Sequence, residues 1–176
     1  MSEPQTLIDA ARALARYNRL ANARLYDACD RIGDSERRRA RPAFFRSIHG
    51  TLNHILVGDR IWMARFQGKT VPSSGLDAIL YEKFDDLRAA RVEQDALIQA
   101  FAQSLTDARL LSTIAYRNNA GLDFEDPVWM LILHFFNHQT HHRGQVHDML
   151  CQTSVAPPSL DLHRVLKPMP DSRLSD

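Results

Sequence analysis

The stretch DPVWMLILHFFNHQTHHRGQVHDMLCQ, from Asp126 to Gln152, decides the fold. An aspartate can cap the free N–H groups of a first helical turn, and a proline in that turn has no N–H to leave unpaired. Beyond this start, Leu131, Phe135, Val146 and Met149 recur at helical steps, which predicts a helix from Pro127 to about Gln152. The same stretch carries five of the chain's eight histidines. His134, His138 and His142 are successive steps of four, a row that drifts by about 40° per step. They share the arc of the apolar residues, so the row points into a core and not at water. His141 falls at the edge of that arc and His147 nearly opposite it, facing solvent. Two inward imidazoles at i and i+4 can hold one metal ion. For any single buried histidine, a hydrogen-bonded packing role is the simpler account. The number of histidines favours metal, because packed imidazoles without one need a partner for every buried ring nitrogen.

Outward from this helix, three more are expected. The first spans Pro4 to Ile32 on a stripe of Leu7, Ala11, Leu14, Asn18, Ala21, Leu25 and Ala28, with Gly33 as its stop. The second spans Ala43 to Phe66. Ile48, Leu52, Ile55, Trp62 and Phe66 form its main stripe, and Gly50, Val57, Gly58 and Ile61 a second face, as in a helix central to its bundle. GKTVPSSG, Gly68 to Gly75, reads as a loop. The third helix is expected from Leu76 to Leu111. Thr113–Tyr116 and Leu122–Phe124 are β-prone around the turn signal NNAG, so a short irregular hairpin should join the third and fourth helices. Asp126 serves as N-cap of the fourth. The expectation is all-α: an antiparallel four-helix bundle over residues 1–155, then a Pro-containing tail over 156–176 with a short turn near Leu160–Leu166.

Composition excludes several classes. Lys plus Arg is 22 against 21 for Asp plus Glu, a net charge of +1, which gives no footprint for a polyanion such as nucleic acid. The run ERRRARP, Glu36 to Pro42, reads as a solvated connection. Cys29 and Cys151 lie far apart, form no CxxC pair and imply neither a disulfide framework nor a thiolate zinc site. The N-terminal residues have no apolar signal core and no run approaches membrane-spanning length, so a cytoplasmic protein with reduced thiols is expected.

A metal needs a third ligand from another helix. The second helix offers His49, beside the main stripe, and His54, on the second face; periodicity alone slightly favours His49. Four segments then carry a resemblance: YNRLANARLYDA, SIHGTLNHILVGDRIWMARF, YRNNAGLDFEDP and HFFNHQTHHRGQVHDML, in this order across most of residues 15–150. Together they resemble the DinB-like family, the DinB/YfiT-like bacterial metalloenzymes. The resemblance implies a four-helix bundle and one divalent metal ion held by His54 of TLNHIL and by His138 and His142 of NHQTHH. It also implies a homodimer and, by likeness to branches of the superfamily that use bacillithiol or mycothiol, a small-molecule substrate such as a low-molecular-weight thiol. His134 remains a weaker fourth candidate.

Neighbouring residues invite plainer readings. Asn137 and Gln139 suit helix surface or packing, and Arg143 a structural ion pair or an interface. Gln145 lies near the arc and could support a ligand. Asp59, on the apolar stripe of the second helix, calls for a partner, an arginine or an imidazole N–H. Trp62 and Trp129 suit core or interface anchors, and with Phe44, Phe45, Phe66 and Phe136 exceed what one small core face covers, which also favours a dimer. Three neutral imidazoles leave an open coordination position, the layout of catalysis. Zinc and nickel both suit such ligands. A metal-dependent thiol S-transferase in detoxification or stress response is the leading expectation. A metal-dependent hydrolase and a non-catalytic metal-binding stress protein are the alternatives.

Overall fold

The computed structural model describes residues 6–118 and 120–168. The chain is mostly helical, with one small sheet. Its elements are α1 (Leu7–Asp30), α2 (Asp34–Arg38), α3 (Ile48–Phe66), α4 (Phe84–Gln103), α5 (Asp107–Leu111), β1 (Thr113–Arg117), β2 (Asp123–Pro127), α6 (Val128–Cys151) and α7 (Leu162–Leu166). Among the described residues no helix is long and apolar enough to cross a membrane.

The four long helices, α1, α3, α4 and α6, pack as a closed ring of neighbours: α1 on α4 and α6, α3 on α4 and α6. Their interior is layered. One apolar layer holds Ala11 and Ala15 of α1, Trp62 and Phe66 of α3, Ile98 of α4 and Ile132 and Phe135 of α6. The other holds Leu25 of α1, Leu52 of α3, Leu87 of α4 and Val146 and Met149 of α6. Helices α1 and α6 therefore run from the first layer to the second, and α3 and α4 run the opposite way. The antiparallel expectation holds for the pairs α1–α4 and α3–α6 and fails for α1–α6 and α3–α4. The cause is the connection from Gln67 to Lys83, which travels back along the molecule instead of turning tightly.

That crossover also corrects the third helix. Residues 76–83 are not helical, because α3 uses their backbone as hydrogen-bond partners. Asn53 accepts from Tyr81 N–H at 3.0 Å, His49 Nε2 meets Tyr81 O at 2.9 Å and His54 Nδ1 meets Leu76 O at 2.7 Å. Helix α4 begins only at Phe84, where Asp85 and Asp86 complement the helix dipole. It ends at Gln103, and Thr106 caps a separate short α5.

Other boundaries move for similar reasons. Helix α1 opens on a capping box, with Thr6 and Asp9 bonding each other's backbone N–H; Pro4 and Gln5 lie outside the described residues. Helix α3 starts at Ile48 and not Ala43, because Ser47 accepts from Gly50 N–H. Asp126 is not the cap of α6. It sits in β2 and accepts from Tyr116 Oη at 2.9 Å, while the Val128 N–H that opens α6 bonds Ser112 O. The hairpin pairs β1 and β2 antiparallel, Thr113 opposite Pro127 and Arg117 opposite Asp123; Asn119 of its turn signal lies outside the described residues. The run Glu36–Pro42 is only partly a solvated connection. Arg37 and Arg41 are buried, and Arg37 Nη1 donates to Cys29 O and Asp30 O, closing the carbonyl end of α1. After Pro158 the chain lies against α1: Tyr17 Oη donates to Leu160 O at 2.8 Å and Val165 is buried beside Tyr17 and Ala21. Residues 169–176 lie outside the described residues.

Candidate metal centre

Helices α3 and α6 meet at Gly58. A Cβ there would lie 2.9 Å from His138 Cε1, so only glycine leaves the imidazole its place. One turn before Gly58 on α3 stands His54; one turn after His138 on α6 stands His142. The three rings converge. His54 Nε2 and His138 Nε2 each lie 3.1 Å from His142 Nε2, and one ligand atom from each residue falls within 4.8 Å of the others. Tetrahedral zinc with bonds of about 2.0–2.1 Å would separate its nitrogens by about 3.3–3.4 Å, close to these spacings.

The hydrogen bonds around the rings say what these nitrogens carry. Leu76 O can only accept, so His54 Nδ1 bears the proton and its Nε2 is a bare lone pair. Gln145 Oε1 lies 2.8 Å from His142 Nδ1 and likewise only accepts, which bares His142 Nε2. Two lone pairs facing each other at 3.1 Å repel unless a cation lies between them. The donor set therefore fits a divalent ion, and the acceptors behind Nδ1 are the supports that metal-binding histidines need. Among the described residues His138 Nδ1 is buried without a hydrogen-bond partner.

Burial keeps the cluster neutral. Loss of hydration pushes the His54 pKa down to about 4 and the His138 pKa down to about 3, the latter helped by the other imidazoles. His142 is lowered by the same cause, against the hydrogen bond its Nδ1 donates to Gln145 Oε1. At neutral pH protons do not compete for these nitrogens. No carboxylate joins the cluster among the described residues.

The walls come from the turn before α3. Phe45 stacks on His54 with ring centres 3.7 Å apart and meets His142 edge-on at 5.6 Å. Gly50 permits this, because a Cβ on it would run into Phe45 O. Arg46 takes φ 63°, a left-handed conformation disfavoured for a residue with a side chain, to bring the chain round into Ser47.

The remaining histidines lie outside the cluster. His49 is buried but turned to Tyr81 O, so the choice that periodicity favoured is corrected: α3 offers His54. His134 is exposed with its ring against Trp62 at 5.1 Å, and it stands 6.0 Å from the His138 ring. The inward row thus holds for His138 and His142 and not for His134. His141 is exposed and bonds Gln145 Nε2 at 3.1 Å; His147 is half-buried, not solvent-facing. Gln145 supports His142, while Asn137 is exposed.

Directly behind the site lies a buried polar layer that sequence reasoning saw only in part. Arg91 pairs with both Asp59 and Asp95, all three at most 3% exposed. Gln139, read as surface or packing, is fully buried and donates to Asp59 at 2.6 Å. Asn18 and Asn22 donate to Asp95, and Arg143 donates to Asn18 with its guanidinium 5.1 Å above the Tyr17 ring. Two carboxylates and two guanidiniums balance. The one available signal was Asn18 on the apolar stripe of the first helix, matched by Asp59 on that of the second.

The model of the DinB family matches residues 1–172, and the chain belongs to that family. Protein DinB of Bacillus subtilis (strain 168) is 25% identical over 154 residues, which cover 84% of this chain and 88% of the relative.

Proposed function

Taking membership of the DinB family as premise, we propose that this protein is a metal-dependent enzyme. In this reading His54, His138 and His142 hold one divalent ion, zinc or nickel, through their Nε2 atoms. The reaction is a thiol S-transfer to an electrophile in detoxification or stress response. The observation that carries the reading is the convergence of three Nε2 atoms, two of which lie 3.1 Å from the third, with the lone pairs of His54 and His142 bared by the acceptors behind their Nδ1 atoms. A divalent ion with three neutral ligands keeps its full charge and acidifies a water or thiol bound to it. The chain's own residues hold the three rings, cover those of His54 and His142 with Phe45 and keep them unprotonated.

The nucleophile is external. Cys29 is buried and its thiol is pushed up to about 12, while Cys151 is exposed at the last residue of α6, more than two turns beyond His142. Both thiols are free, which suits a reducing, cytoplasmic setting. We read the four long helices as a four-helix bundle built around this centre, followed by the C-terminal tail. We further propose a homodimer, supported by apolar side chains left at the surface, among them Phe44, Phe124, Trp129 and Met130.

The test is elemental analysis of untagged protein, followed by conjugation of a generic electrophile with a panel of small thiols, apo against metal-loaded. Stoichiometric metal surviving in the His138→Ala, His142→Ala double variant would remove the assignment. Turnover equal in apo protein, or lost in a Cys29→Ser, Cys151→Ser variant that keeps its metal, would remove the mechanism. Metal without turnover on any thiol, ester or amide would leave a binding protein.

A further inference from the structure

The three histidines are not held alike. A backbone carbonyl fixes the tautomer of His54, and no side-chain movement can reverse it. His138 Nδ1 has no partner among the described residues. His142 depends on a side-chain amide, and that amide depends on another histidine. Gln145 Oε1 lies 2.8 Å from His142 Nδ1, and Gln145 Nε2 lies 3.1 Å from His141 Nε2.

We infer that Gln145, oriented by His141, is the positioning residue that decides which nitrogen of His142 is free to bind a metal. The two ends of an amide are not interchangeable: the oxygen only accepts and the nitrogen only donates. With Oε1 on His142 Nδ1, that nitrogen carries the proton, and Nε2 presents a lone pair towards His54 and His138. Turned over, the amide would donate to Nδ1. The proton of the neutral ring would then sit on Nε2, among the other two rings, and the ring could not serve as a ligand through that atom. In the inferred relay His141 carries its own proton on Nδ1, so its Nε2 accepts from the amide nitrogen and favours the first orientation. Residues 141, 142 and 145 share one turn of α6, so the relay is assembled by helix geometry alone. Gln145 touches neither His54 nor His138 in any hydrogen bond among the described residues, so its effect on the centre passes through His142.

This inference rests on the metal reading, and the experiment separates the two. Nitrogen-15 NMR of the imidazoles in apo protein reports the His142 tautomer without any metal; competition with a chromophoric chelator gives the zinc Kd. Wild-type apo protein is expected to carry the His142 proton on Nδ1, and Gln145→Leu to lose that preference. Gln145→Glu, which can only accept, should bind zinc at least as tightly as wild type. Gln145→Leu and the isosteric Gln145→Met should bind about ten- to a hundredfold more weakly, the usual scale for such supports. His141→Ala should fall between wild type and Gln145→Leu. The inference is overturned by a wild-type apo His142 protonated on Nε2. It is equally overturned by Gln145→Leu and Gln145→Met proteins of native helicity that bind zinc within twofold of wild type. Zinc binding by wild type with unaffected variants sinks this inference alone, whereas no zinc binding by wild type sinks the metal reading with it.

Discussion

Replacing Gly58 by alanine should separate folding from metal binding. The added Cβ would stand 2.9 Å from His138 Cε1 and 3.5 Å from Nδ1. Carbon atoms rest about 3.5–4.0 Å apart, so the ring must retreat by roughly 0.6–1 Å. Folding tolerates this. Alanine gains about 1 kcal/mol over glycine inside a helix, and crowding costs roughly 1–3 kcal/mol when a rigid neighbour must yield. Here the neighbour is the end of a side chain whose Nδ1 has no hydrogen bond to lose. Apo stability should therefore change by no more than about 1 kcal/mol. Metal has no such slack, because workable ligand distances vary by about 0.2 Å. The displacement exceeds that several times over. The zinc Kd should weaken at least about tenfold, or 1.4 kcal/mol. Urea unfolding of apo protein and chelator competition read the two quantities, and Gly144→Ala, with nothing within 4 Å of its Cβ, is the control. A wild-type Kd in Gly58→Ala would refute the claim that this contact places His138.

Breaking the buried layer should cost far more than breaking the site. Arg91→Met strands Asp59 and Asp95 without their cation and should lose about 3–5 kcal/mol in chemical denaturation; a loss under 1 kcal/mol would mean the pairs are solvated. Acid should destabilise the apo protein. The pKa values of His54, His138 and the buried His49 lie below the ordinary value near 6.5, so unfolded chains take up protons first as pH falls. The cost is absent above pH 6.5, grows as pH falls below it and levels off only where the folded rings take up protons, at about 4 for His54 and about 3 for His138, visible as a falling Tm; bound metal should leave towards the lower end of that range, and a flat Tm from pH 7 to 4.5 would contradict this. Light scattering at micromolar concentration should give twice the 20.1 kDa chain mass, and a monomeric mass would remove the dimer.

The layered core explains which parts of the fold were legible. Leu7 to Ala28, Ile48 to Phe66 and Leu131 to Met149 face the interior at every helical step, so their periodicity reports their environment directly. Phe45 and Leu80 continue the same periodicity but are not helical. Phe45 is held by stacking on His54, and the Leu80 segment by α3 side chains that bond its backbone. Apolar spacing cannot tell such a segment from a helical turn. The caps could: Ser47 and Thr106 mark the true starts of α3 and α5. Asp126 misled because Tyr116, ten residues away across the hairpin, claims its carboxylate.

For the site, spacing gave the row His134, His138 and His142 on α6 but not the α3 residue that meets it, and the reason is physical. His49 and His54 are both buried, both on α3 and both bonded to carbonyls of the crossover. What separates them is how α3 sits along α6, a tertiary quantity that no single helix encodes. That register is set next to the three clustered histidines. Gly58 and Asp59 are consecutive on α3, His138 and Gln139 on α6. Gly58 receives the His138 ring while Asp59 accepts from Gln139 at 2.6 Å. A slide of α3 by one turn, about 5.4 Å, would break that buried hydrogen bond and withdraw Asp59 from Arg91. The charged layer is thus an expensive way to stabilise a core, since apolar residues could fill it at no loss. As a register lock it has a clear use: it admits one alignment of α3 against α6, the alignment in which His54 meets His138 and His142.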